Sequence, residues 1–353
     1  MFNNILVSAL VNLGDVVLTT SALALIKNHS PNARITMMVK RVVSDAVINN
    51  PVVDDVIILD YQAKKNSLST MLSTVGELRR RHFDLFISLD RKLRAALLAF
   101  LAGISTRVGP NKVFDDKKSR VTTLFTDVIS IDHNLDRTLQ AQTYQTIVRK
   151  FFGIDGDAQP VFARITNQSR SNVDRLFERL PATRLKIALC VKGTFELKTY
   201  PKDCFSIIVK SLRAEYDAAF FIVGAPNDRE YADEVIETIG STVENFCGET
   251  SLVDLAEIFN RSDLLITVDT GATHIAATTG IKMVVMYGCT PVDRWRPINQ
   301  NAIALSSNEP CCPCSVKPQQ CPSYPTPNCL YHVKPEHVLD ACRRLIGGNY
   351  NAR

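Results

Sequence analysis

The sequence predicts an α/β protein made of two halves of similar size, each a parallel sheet with helices between its strands. Three observations predict it. Short β-branched runs alternate with helical patterns along almost the whole chain, which is the βαβ rhythm of a parallel sheet. The rhythm lapses once, over residues 153–172, where Gly, Asp, Gln, Ser and Asn accumulate as in a linker. It then resumes and runs almost to the end. The predicted domains are therefore 1–165 and 166–353, the second including a Cys-rich segment at 310–330.

In chain order, the first strand is Ile5-Leu6-Val7, followed by a helix over about 16–27. Strands over 35–39, 56–59 and 85–89 come next, with amphipathic stretches between them, and a helix over 138–152 closes the first series. The second series has strands over 187–191, 219–223, 264–268 and 283–286, and a last helix over 335–346. In such sheets ligands sit beyond the carboxyl ends of the strands. With two such domains, the expected site is the cleft between them.

Composition narrows the class. Apolar residues at 46% and charged residues at 22% are the balance of a globular protein, not of a disordered one. The longest apolar stretch, 95–104, is ten residues, against the ~20 that cross a bilayer. The start, Met1-Phe2-Asn3-Asn4, has no basic n-region, so a cytoplasmic chain without a signal peptide is expected. The net charge of +5 comes from basic residues interleaved with acids. It argues against a nucleic-acid partner and permits an anionic substrate or an anionic membrane surface.

Several strand ends carry chemistry. Leu13-Gly14-Asp15-Val16 follows the first strand, where a carboxylate on Asp15 could take a proton from a sugar hydroxyl. Asp is also a favoured N-cap, and the segment alone leaves both readings open. Asp269-Thr270-Gly271 with His274 follows another strand and opens a helix of small residues. Its N–H groups form an anion site suited to a diphosphate. Lys192-Gly193-Thr194 and then Lys198 follow a third strand, where a lysine would offset charge on a leaving diphosphate or simply be solvated. Asp228, after the strand at 219–223, would bind ribose hydroxyls or start a helix.

Other motifs are missing. No G-x-G-x-x-G follows a strand, which disfavours a nicotinamide dehydrogenase, and no G-x-x-x-x-G-K-[ST] occurs. Asp155-Gly156-Asp157 matches the D-x-D that holds a metal in some glycosyltransferases, but it sits in the linker and reads as a turn. Cys311, Cys314, Cys321 and Cys329, with Cys312 beside them, suit four thiolates on one zinc or iron, or a set of reduced structural cysteines.

These residues resemble the family 9 glycosyltransferases, whose best-known members are ADP-heptose:lipopolysaccharide heptosyltransferases. The resemblance is carried by Ile5-Leu6-Val7, Leu13-Gly14-Asp15-Val16-Val17-Leu18-Thr19-Thr20, Pro31, Ala33-Arg34-Ile35-Thr36, Pro51-Val52-Val53-Asp54 and Val56. It continues through Ala102-Gly103-Ile104, Arg107-Val108-Gly109, Lys198, Tyr200-Pro201, Gly224, Asp269-Thr270-Gly271, His274, Ala276, Tyr287-Gly288, Pro291 and the cysteine cluster. It implies a GT-B fold of two facing Rossmann-like domains, acceptor bound mainly by the N-terminal one and donor by the C-terminal one. It implies inverting, metal-independent transfer with Asp15 as the general base. It also implies an ADP-sugar site lined by Lys198, Asp228, Asp269, Thr270, Gly271 and His274. Some relatives hold an iron through four cysteines. The chain departs from the family pattern at 9–12, where relatives often carry Ser or Arg, at Tyr200, where Trp is usual, and at Asp228, where Glu is common.

The sequence reading is therefore transfer of heptose from ADP-heptose to the lipopolysaccharide inner core. Rival readings keep the fold with another sugar nucleotide or a protein acceptor, or make the chain a non-catalytic sugar-nucleotide-binding protein; an oxidoreductase is the remote third. No cofactor is expected for catalysis, and a structural zinc or iron is the candidate at the cysteines. Basic clusters at Lys64-Lys65, Arg79-Arg80-Arg81, Arg91-Lys92 with Arg94, and Lys117-Lys118 with Arg120 suit a lipid-linked anionic glycan and peripheral contact with the inner membrane. Arg91, Lys92 and Arg94 are the acceptor-binding candidates.

Overall fold

The strand-forming runs pair into two six-stranded sheets, every pairing parallel. The computed structural model describes residues 2–59, 68–117, 119–240, 242–307, 309–314, 318–321 and 329–347. Lys64, Lys65 and Lys118 lie outside the described residues. The chain divides into two compact units, Met1–Arg164 and Ile165–Arg353.

In the first unit, β1 (Asn4–Ser8), α1 (Leu13–His29), β2 (Arg34–Lys40), β3 (Asp55–Leu59), α2 (Leu68–Arg80), β4 (Leu85–Ser88), α3 (Leu93–Leu101), β5 (Thr106–Pro110), β6 (Asp127–Ile129) and α4 (Gln140–Phe152) follow in order. The sheet order is β3-β2-β1-β4-β5-β6. Strand order reverses between β1 and β4, which pair in register from Ile5 with Leu85 to Ser8 with Ser88. Parallel strands covered on both faces need near-continuous apolar runs, and β4 buries all four of its residues.

α1 is buried at every position from Val16 to Ile26. It tolerates three hydroxyls there because Thr19, Thr20 and Ser21 each donate to a carbonyl three residues back, at 2.6–2.7 Å. Thr20 Oγ1 also accepts from the Val161 N–H at 2.8 Å. α4 ends at Gly153, whose φ of 65° is the left-handed cap that glycine takes without steric cost.

In the second unit, α5 (Asn167–Phe177), β7 (Leu185–Cys190), α6 (Lys202–Glu215), β8 (Ala218–Ile222), α7 (Arg229–Ile239), β9 (Glu244–Asn245), α8 (Leu252–Asn260), β10 (Leu264–Val268), α9 (Gly271–Thr279), β11 (Met283–Tyr287), α10 (Val292–Trp295), β12 (Ala302–Ser306) and α11 (Pro335–Ile346) follow. The order β12-β11-β10-β7-β8-β9 repeats the first unit's plan, with its reversal between β7 and β10. Phe205, Ile208 and Leu212 of α6, Val235 of α7 and Val338 and Leu339 of α11 pack on Ile187, Phe220, Ile266 and Val284 from the strands. Each such buried side chain contributes about 1.5–3 kcal/mol.

The expected linker differs in one respect. It is extended only to 166, because Thr166 accepts from the Ser169 N–H at 3.0 Å and starts α5 inside the polar stretch. The D-x-D at 155–157 is free of regular structure, and Asp157 pairs with Arg149 at 2.5 Å.

Candidate active site

The two strand-order reversals gather most of the chemistry, one in each unit. In the first unit the loop after β1 leads into α1 through Asn12, which is the N-cap position, so Asp15 lies in the first helical turn and is not itself the cap. Oδ1 of Asp15 accepts a hydrogen bond from the Tyr144 hydroxyl on α4 at 2.7 Å. Across the reversal, Asp90 follows β4 and is 2% exposed. Its Oδ2 accepts from Leu10 N–H at 2.6 Å, and its Oδ1 from the Ser8 and Ser88 hydroxyls and the Lys92 N–H at 2.9–3.2 Å. One buried carboxylate thus ties the ends of β1 and β4 together and starts α3.

The acceptor candidates follow directly. Arg91 has φ of 53°, a left-handed conformation that a side chain rarely adopts. Its Nη2 donates to the Lys117 carbonyl at 2.8 Å. Lys92, exposed, is the N-cap of α3, and Arg94 sits in that helix's first turn. Lys40, at the end of β2, joins this group: burial and then Lys92 push its ammonium below the ordinary lysine value, while Asp15 and Asp90 act the other way. The cluster at 79–81 lies elsewhere. Arg81 pairs with Asp55 and Glu77, and its carbonyl accepts from Asn4, at the amino end of the sheet. Arg79 donates to the Leu101 carbonyl at 2.8 Å.

In the second unit, Nζ of Lys198 lies 2.6 Å from Oδ2 of Asp269, and the pair is largely buried, with side-chain exposures of 17% and 8%. Thr290 donates to the same oxygen at 2.6 Å. Gly193 makes this approach feasible: a Cβ there would overlap the side chain and backbone of Lys198. Thr270 is the N-cap of α9 but makes no side-chain capping bond, and Gly271 is the first helical residue. His274, one turn on, is 4% exposed, and its Nδ1 has no hydrogen-bond partner among the described residues. Burial pushes this imidazole down to about 4, with Asp269 opposing and Lys198 assisting. The ring is neutral at physiological pH.

Lys192 and Asp228 meet beyond the ends of β7 and β8. Lys192 Nζ donates to the Asn227 carbonyl at 3.2 Å and stands 3.9 Å from Asp228 Oδ1. Asp228 Oδ2 accepts from the Ala225 N–H at 2.9 Å, so one oxygen holds its own loop. Thr194 is exposed on the loop between Lys192 and Lys198. Tyr200 is a core residue: its hydroxyl donates to the Val333 carbonyl at 2.6 Å and its ring lies edge-on to Phe205.

Cys311, Cys314, Cys321 and Cys329 line one small pocket with Cys289, Cys312, Glu309 and Leu197. Six thiols and a carboxylate are the donor chemistry of a zinc or iron site. Among the described residues, however, no three Cys, His, Asp or Glu side chains converge in a metal-holding arrangement. Burial pushes the thiols of Cys289 and Cys312 up to about 12 and that of Cys329 up to about 11. All ten cysteines are free thiols.

Tyr144, Asp90, Lys40, Thr290 and Cys289 escape the sequence reading. Asp90 alone carried a local signal, a carboxylate just past a strand end, like that of Asp269.

Comparison with known proteins bears on this arrangement. Residues 71–324 match the model of glycosyltransferase family 9 (heptosyltransferase). Lipopolysaccharide heptosyltransferase 1 of Campylobacter coli is 24% identical over 291 residues, 79% of this chain and 82% of that protein. The fold is similar to that of a family 9 glycosyltransferase from Veillonella parvula, with a TM-score of 0.83 at 22% identity over 98% of this chain and 97% of the other. It is also similar to E. coli ADP-heptose lipopolysaccharide heptosyltransferase II, with a TM-score of 0.79 at 19% identity over 98% and 99% of the two chains. The two Rossmann-like units are those of the GT-B class, and the chain belongs to glycosyltransferase family 9, the heptosyltransferases.

Proposed function

We propose that this chain moves a heptose from ADP-heptose to a sugar of the lipopolysaccharide inner core, by an inverting reaction that needs no metal. The observation that carries the reading is the donor-type end of the second unit, where α9 starts without a side-chain cap beside the buried Lys198–Asp269 pair; the first unit, by itself, carries a carboxylate at its own strand-order reversal. The acceptor hydroxyl attacks the anomeric carbon. Its oxygen bonds to that carbon as the bond to the phosphate oxygen breaks, its proton passes to Asp15, and the electron pair leaves with ADP. The N–H groups at the start of α9, around Thr270 and Gly271, receive the diphosphate. Lys198 offsets its charge. Neutral His274 lies behind that turn without adding charge, and Lys192, Thr194 and Asp228 line the nucleoside end.

Arg91, Lys92 and Arg94 face an anionic, lipid-linked acceptor in this reading, which puts the enzyme in the cytoplasm against the inner leaflet. No helix among the described residues is long and apolar enough to cross a membrane. Attachment would then rest on basic residues, at about 1 kcal/mol each near an anionic surface. Co-sedimentation with anionic liposomes that is indifferent to salt would count against it. The cysteine pocket would hold zinc or iron in a structural role, through Cys311, Cys314, Cys321 and Cys329, and no catalytic step passes through it. Elemental analysis of chelator-free protein tests this; no zinc or iron near one equivalent, with all ten thiols titrating freely, defeats it.

The donor is tested by incubating the protein with a panel of sugar nucleotides and reading transfer or hydrolysis by mass spectrometry. ADP-heptose turnover is expected. Turnover of a different sugar nucleotide alone would replace the donor and keep the chemistry.

A further inference from the structure

The first unit holds a buried phenol against the carboxylate read above as the base. Tyr144 is 0% exposed, yet its hydroxyl reaches Asp15 Oδ1 at 2.7 Å across 129 positions of chain. A buried tyrosine needs a partner for its hydroxyl, and here the partner is the side chain with the most chemistry in the unit.

The surrounding frame holds that hydroxyl still. Gln145, the next residue, donates from Nε2 to the Ala158 carbonyl and accepts from the Ala158 N–H, both at 3.0 Å. Three residues on, the Val161 N–H donates to Thr20 on α1, and the Val161 carbonyl accepts from Asn50 at 2.8 Å. On the other side, Thr143 is hydrogen-bonded to His133 at 2.9 Å. The segment at 158–161 therefore fastens α4 to α1. The Tyr144 ring, fully buried on that helix and with only two side-chain torsions, has little freedom to leave Asp15.

We propose that Tyr144 is a positioning residue for Asp15: its hydroxyl holds one carboxylate oxygen, fixes the plane of the group, and so sets the direction from which the acceptor proton is taken. This rests on the reading of Asp15 as the base. Lys40, at the end of β2, interacts electrostatically with this carboxylate. A hydrogen bond donated to the ionised form of a carboxylate also favours that form.

Tyr144→Phe keeps the ring and removes the hydroxyl. In the full-length protein with ADP-heptose and acceptor, kcat is expected to fall about tenfold, the size of one hydrogen bond to a charged group. The donor KM should stay unchanged. The acidic limb of the kcat/KM profile should move up by about 0.5–1 pH unit. Asp15→Asn, assayed beside it, should lose most turnover, and the double variant should be no slower than Asp15→Asn alone. If Asp15→Asn loses most turnover but Tyr144→Phe has the wild-type pH profile, or if adding Tyr144→Phe lowers the residual kcat of Asp15→Asn by about a further tenfold, the positioning role is overturned and the base stands. If Asp15→Asn turns over like wild type, both fall. A melting temperature within a few degrees of wild type for Tyr144→Phe separates the effect from unfolding, and Tyr144→Met provides a second variant that removes the phenol without enlarging the side chain.

Discussion

Lys198 and Asp269 are joined nose to nose at 2.6 Å, and Thr290 donates to the very carboxylate oxygen that Lys198 holds. The lysine assigned to the leaving diphosphate is thus already partnered, by the carboxylate from the neighbouring strand end. Donor binding would redistribute this pair, with the ammonium shared between Asp269 and the phosphate oxygens.

The pair is buried enough to matter for stability as well. Lys198→Met should destabilise the fold by about 3 kcal/mol, because it leaves the largely buried Asp269 carboxylate without its counter-charge and with the Thr290 hydroxyl as donor. Adding Asp269→Asn should recover most of that loss without restoring ADP affinity. Urea melts and calorimetry on the single and double variants check this; a double variant less stable than either single one would show that the pair is not what Lys198 contributes.

Gly193 bears on the same lysine from the other side. A Cβ at this position overlaps Lys198, so Gly193→Ala must push the 196–198 segment away from the end of β7. Overpacking of this kind costs about 1–3 kcal/mol. ADP affinity should fall with it, while the Gly76→Ala control, inside α2 where its Cβ meets nothing within 4 Å, should leave ADP affinity unchanged and raise stability by about 0.5–1 kcal/mol. Equal ADP affinity for Gly193→Ala and wild type would remove Lys198 from the donor site.

His274 gives the pH dependence a definite sign. Its folded value of about 4 lies below the ordinary 6.5, so between these values the unfolded chain binds more protons than the folded one. The stability this site contributes is complete above about pH 6.5 and is lost as pH falls toward 4, on the order of 3 kcal/mol in all. Unfolding free energies of wild type and His274→Gln, compared from pH 7 to 4, should converge as the pH drops. Parallel curves would mean that the imidazole titrates normally.

Much of this was legible from the chain alone where side chains report their own surroundings. The apolar runs at 264–268 and the amphipathic pattern at 335–346 coincide with β10 and α11, because buried strands and core-facing helices write their period into the sequence. β6, with two of its three residues exposed, and the two-residue β9 left no such trace, being short edge strands. α5 was hidden by polarity: its first six residues, 167–172, carry no apolar side chain. The strand-end residues Asp15, Lys198, Asp269, Thr270 and Gly271 were visible because glycine, acid and hydroxyl crowd into short loops. Their partners were not. Tyr144 meets Asp15 across 129 positions and Asp90 meets Leu10 across 80, contacts fixed by which strands and helices become neighbours.

The central claim is that Asp15 takes the acceptor's proton in heptosyl transfer. The most direct test measures transfer from ADP-heptose and ADP affinity side by side for wild type and Asp15→Ala. Loss of a general base costs about 10²–10⁴-fold in rate. Asp15→Ala should show a loss in that range with ADP binding within about twofold of wild type, because the α9 end and Lys198 belong to the other unit. A folded Asp15→Ala protein that transfers heptose at the wild-type rate would contradict it.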